Sequence, residues 1–139
     1  MDHPLPQQVK PLLWLSYSED NMPVNIVNVT NIEGKTSVQQ VGTSAASIVT
    51  NAALSGDVYK LNALYVSNVD GTNNAEVNVS ILRSSTSYHI AKTLVVPADA
   101  TIDVLSKPIY LEEGDALQLL ASAASDLEAV CSYEIITDA

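Results

Sequence analysis

A serine-type relay in this chain would have to draw on His3 or His89, its only histidines. A nucleophile–base–acid relay needs its members within hydrogen-bond reach of one another, and nothing in the spacing of Ser, His and Asp here implies that. No G-x-S-x-G elbow occurs, and His3 lies in a proline-rich terminal segment. If Tyr88 and Ile90 pack inward, His89 faces outward. Two acidic clusters could offer oxygens to Ca²⁺: Asp70 with Asn73 and Asn74, and Glu112 with Glu113 and Asp115. Neither has the spacing of an EF-hand loop, and both read as turns, where Asp, Asn and Gly serve the backbone. His and Cys are too few for a transition-metal cluster, and the five glycines form no phosphate-binding loop. The chain is therefore not expected to be an enzyme or to hold a cofactor or metal.

The remaining chemistry is that of contact. Leu12-Leu13-Trp14-Leu15, followed by Tyr17, forms one apolar knot and contains the only tryptophan. It sits between Pro4, Pro6, Pro11 and Pro23, which bias the segment toward extended conformations. An apolar knot on an extended arm can insert into a neighbouring subunit or fold back on its own domain. Leu12, Leu13, Trp14, Leu15 and Tyr17 are the candidate anchor residues. The single cysteine, Cys131, rules out an intrachain disulfide, and its apolar surroundings mark a buried, inert thiol. The motifs Asn28-Val29-Thr30 and Asn78-Val79-Ser80 match the glycosylation sequon but read better as polar positions of strands.

The elements that would carry these residues are strands. From about Val24 onward the pattern alternates with period two. Val24–Ile32 reads as a strand, Glu33-Gly34 as a turn and Thr36–Val41 as the return. A short strand follows at Ser47–Ala52. Val58–Asn68 has Tyr59, Leu61, Ala63 and Tyr65 on one face. Asp70 to Asn74 signals a hairpin into Glu76–Leu82, where Val77, Val79 and Ile81 face the core. Tyr88, Ile90 and Leu94, then Ala100–Leu105 and Pro108–Leu111, give further strands. Ala116–Ala121 is expected to pair with what precedes it. The last strand alternates strictly through Leu127, Ala129, Cys131, Tyr133 and Ile135. No helix is expected. About eight short strands with frequent turns specify an all-β antiparallel β-sandwich, jelly-roll or Ig-like. We expect residues 1–22 to form an extended arm and 23–139 a single sandwich domain.

Charge narrows the partners. Of 139 residues 16% are charged, against roughly 25% in ordinary domains. Neutral polar groups must cover the surface, and these are less costly to desolvate in an assembly. The net charge is −10, with the six basic residues scattered singly, which disfavours nucleic acid and anionic membranes. The N-terminus has no basic segment followed by an apolar one, so secretion through a signal peptide is not expected.

The order Tyr59-Lys60-Leu61, Leu64 to Asn68, Val77 to Leu82, Leu94 to Ala98 and Ile109 to Leu117, ending through Val130 and Tyr133, resembles a β-sandwich domain of tailed-bacteriophage structural proteins. The resemblance spans about Val41 to Ala139. It implies a virion protein without catalytic residues, made in the host cytoplasm. Its favoured role would be a capsid decoration or cement protein bound to the major capsid protein or other virion proteins. A homotrimer is the favoured oligomer. A tail, fibre or receptor-binding module is the other role the resemblance implies.

Overall fold

The computed structural model describes residues 23–138. They form nine strands: β1 (Val29–Val41), β2 (Ala46–Thr50), β3 (Asp57–Asn68), β4 (Ala75–Arg83), β5 (Thr86–Val96), β6 (Thr101–Asp103), β7 (Ile109–Leu111), β8 (Ala116–Ala121) and β9 (Leu127–Asp138). Among the described residues there is no helix, and every strand pairing is antiparallel. One sheet, A, runs β1-β9-β3-β6, with β7 also on β3; the other, B, runs β2-β8-β4-β5. The expected sandwich is the observed one.

The strand order chooses between the two sandwich types. Thr101–Asp103 pairs with Tyr65–Ser67, and Ile109–Leu111 with Tyr59–Leu61. β6 and β7 are thus two pieces of one strand along β3, interrupted at 104–108. Pro108, which cannot donate to a ladder, stands at the end of that interruption. Counted as one strand, they complete a nested set: β1 with β9, β2 with β8, β3 with β6/β7, and β4 with β5. This is the jelly-roll arrangement.

The core lies between the sheets. Alternation places Leu127, Ala129, Cys131 and Tyr133 of β9 inward, opposite Val77 and Val79 of β4 and Leu117 and Leu119 of β8. Each fully buried Leu or Val contributes roughly 1.5–3 kcal/mol relative to exposure. Tyr133 stacks on Tyr59 with ring centroids 5.7 Å apart. Two fully buried asparagines fasten the ends of β3. Asn51 Nδ2 donates to the carbonyls of Asp57 (2.9 Å) and Leu111 (3.1 Å), and its Oδ1 accepts from Ser55 Oγ (2.6 Å). Asn68 Nδ2 donates to the carbonyls of Asn73 and Val96, both at 2.9 Å, and its Oδ1 accepts from Asp70 N at 3.0 Å.

Several local expectations are corrected. Glu33-Gly34 is not a turn: β1 runs through it, and Gly34 pairs with Glu134. Asp70 to Asn74 is not a hairpin, because β3 and β4 lie in different sheets and the loop crosses between them. β8 pairs with β2 and β4, not with the strand just before it. In β3 the register slips between Leu61 and Ala63, so inward positions shift from Leu61 to Leu64 and Val66. That bulge turns Tyr65 outward, 45% exposed. The polar turn that the sequence places at Arg83 to Ser87 is the tight hairpin: Ser84 and Ser85, with φ of 52° and 64°, join β4 to β5.

Candidate functional site

The anchor candidates Leu12, Leu13, Trp14, Leu15 and Tyr17 lie outside the described residues. The acidic turns do lie within them, and their side chains are committed to the fold. Asp70 Oδ1 accepts from Thr72 N (2.8 Å) and Oδ2 from Asn73 Nδ2 (3.1 Å), which holds its carboxyl below the usual range. Asp115 is buried, 1% exposed. It accepts from Arg83 Nε (2.7 Å), Arg83 Nη2 and Glu112 N (2.8 Å). Burial pushes its carboxyl up, but the Arg83 hydrogen bonds, the Glu112 N–H and the Arg83 charge together hold it below the usual range. Arg83 also reaches Glu112 at 2.9 Å. This clamp ties β4 to the β7–β8 turn, where Gly114 takes a φ of 88°. Among the described residues no three His, Cys, Asp or Glu side chains converge as metal ligands would.

His89 is exposed on β5, opposite Ser80 of β4. Tyr88 is exposed as well, at 60%, rather than packed inward. It pairs with Ile81 near the start of β5, the edge strand of sheet B. Further along, the β4–β5 ladder has two irregularities, and Asn78 Oδ1 accepts from Thr93 N at 2.6 Å beside one of them. That Asn78 belongs to a sequon-like motif, and its amide oxygen is occupied in holding the bulge. Cys131 is buried as expected, and burial pushes its thiol up to about 11.

What the surface does offer is an apolar row. Cross-strand register aligns Val38 of β1, Val130 of β9 and Tyr65 of β3 on the outer face of sheet A. They are 74%, 38% and 45% exposed. The neighbouring row is built of small residues, Thr36, Ser132 and Ala63. Val38 and Val130 line a shallow depression with Gln40 and Glu128. A second depression, between the sheets, is lined by Ile81, Arg83, Tyr88, Ile109 and Tyr110. The alternation of the last strand leaves Val130 outward, but only the register across three strands reveals that it meets Val38 and Tyr65. The Tyr65 contribution was hidden by the bulge.

No protein-family model and no curated protein sequence matches the chain. Solved structures do. One is a chain from Bacillus endospore appendages, which form a novel family of disulfide-linked pili. It is 16% identical, with 86% of this chain and 94% of that chain covered, at a TM-score of 0.50. At that identity the likeness shows the fold. Weaker likenesses are to a pentameric capsid protein isolated from metagenomic phage sequences and to the CBM22-1 xylan-binding domain of Xyn10C from Paenibacillus barcinonensis. The first is 14% identical, covers 88% of this chain and 66% of that one, and has a TM-score of 0.32. The second is 14% identical, covers 85% and 94%, and has a TM-score of 0.26. Neither of these two bears on the assignment. A chemical difference separates this chain from the disulfide-linked pili. Its only cysteine is in the core, so it has no surface thiol with which to link copies.

Proposed function

We propose that the chain is a structural subunit of a bacteriophage particle, and specifically a capsid decoration protein acting through protein–protein contacts. The observation that carries the contact role is the exposed row Val38–Val130–Tyr65, with the small row Thr36–Ser132–Ala63 on one side and Glu128 on the other. Burying apolar area there would add shell stabilisation at roughly 25 cal/mol per Å², before association costs. The virion setting rests on the sequence resemblance and accords with a jelly-roll fold, which recurs in viral capsid domains. Residues 1–22, with Leu12 to Leu15 and Tyr17, would add an anchor into the major capsid protein or another virion protein.

The test is decoration of purified shells. Val130→Asp and deletion of residues 1–22 should each leave the sandwich folded by circular dichroism and reduce shell binding. Retention of full binding by both variants would rule out this mode of attachment.

One observation favours a second reading, a tail or receptor-binding module. Tyr88 and Tyr110, both exposed, flank the same depression beside Arg83, as a sugar- or peptide-binding surface would require. Immunogold labelling of intact particles separates the readings, over the whole shell for decoration and at the tail alone for the alternative.

A further inference from the structure

β1 is the longest strand and lies at the end of sheet A. One edge pairs with β9, and among the described residues no strand pairs with the other. A long open edge is a template for another chain, and proteins usually blunt it with Pro, bulges or charges. β1 has no Pro, and its ladder is irregular only between Val29 and Asn31. Its only charged residues are Glu33 and Lys35, on either side of Gly34. Among the described residues nothing calls for that glycine. Its φ is not in the left-handed region, and a Cβ there would meet no heavy atom within 4 Å. Glycine inside a strand weakens it, and often marks a place where another backbone comes close.

We propose that β1 pairs antiparallel with β1 of a second copy, about a two-fold axis at Gly34. This joins the two A sheets edge to edge. The charges select the register. A two-fold axis normal to the sheet keeps each face on its own side, so the axis must pass midway between one residue of β1 and its own copy. Centred on Glu33, it sets two carboxylates against each other. Centred on Lys35, it sets two ammonium groups against each other. Centred on Ile32 or Thr36, it leaves both charges opposite neutral residues. Centred on Gly34, it puts Glu33 opposite Lys35 of the second copy twice over, and glycine meets glycine on the axis. The same register sets Ile32, 57% exposed, against Thr36 of the second copy. β-branched cross-strand pairs of this kind are favourable. The inference does not depend on the virion reading, and it specifies two-fold rather than three-fold association.

Sedimentation equilibrium on the full chain tests it. The wild-type chain should reach the mass of a dimer. Glu33→Lys and Lys35→Glu each set like charges opposite on both sides of the axis, and each should weaken the dimer roughly tenfold or more. Thermal melts of each variant alone confirm that it is folded. An equimolar mixture of the two variants has opposite charges at both positions and should re-form dimers. The double swap E33K/K35E should regain wild-type association. A monomer at every concentration, a trimer, a dimer indifferent to both reversals, or a mixture that stays monomeric would overturn the proposal.

Discussion

Replacing Arg83 with Met removes the charged partner of Asp115 while keeping most of the side chain's packing. In the native protein the Asp115 carboxylate is 1% exposed and has three donors, two from Arg83 and one from Glu112 N. The variant keeps only the Glu112 N–H. Stripping a buried carboxylate of its ion partner costs about 3–5 kcal/mol when both partners are buried. Here Arg83 is half exposed, its side chain at 49%, so solvent already screens part of the pair. That brings the expected loss to about 2 kcal/mol, or about 8 °C in Tm. The sign of the pH dependence follows from the lowered acidity of the folded state. The pair's contribution is present above the ordinary carboxylate range and is lost as pH falls through the folded value, below about 4. In the variant, burial is opposed only by one N–H, so Asp115 takes up its proton at higher pH. Urea unfolding followed by circular dichroism should therefore show a gap near pH 7 that narrows toward pH 3. A loss below about 0.5 kcal/mol at pH 7, or a gap of unchanged size in acid, would refute the clamp.

Asn51→Ala should destabilise by about 2–3 kcal/mol in the same assay, because it leaves the Asp57 and Leu111 carbonyls without their donor. A loss within the range of a surface substitution would show that water replaces the amide. Cys131 should react with a thiol reagent at least about 100-fold more slowly in the native protein than in denaturant. A fast native reaction would mean that β9 opens locally.

The parts of the fold legible in the sequence are those where one face is buried and the ladder is regular. The alternation of Leu127 to Tyr133, and of Val77 and Val79, read directly as inward positions, and Cys131 followed from the same rule. What escaped depends on pairing between distant strands. Glycine at 34 reads as a turn when only neighbours in sequence are considered, yet twelve ladder positions of β9 keep β1 extended through it. The bulge that turns Tyr65 outward leaves no local signature, since Asn62 is unremarkable in composition. Asp70 to Asn74 has hairpin chemistry, but its hydrogen bonds serve a crossing between sheets. The exposed row was legible only at Val130, outward by the alternation of the last strand; its adjacency to Val38 and Tyr65 is a property of register. The Arg83–Asp115 clamp joins β4 to the turn before β8, and no spacing rule links them.

The nesting of the strands also governs the order in which the chain can fold. Among the described residues β1 pairs only with β9, and β3 lies between β9 and the broken strand β6/β7. Sheet A therefore lacks its middle until residues 127–138 have left the ribosome, and β1 has nothing to pair with before then. Such distant pairing slows folding toward milliseconds to seconds. In the interval β1 and β3 present unpaired edges, and many copies translated side by side would be exposed to mispairing through them.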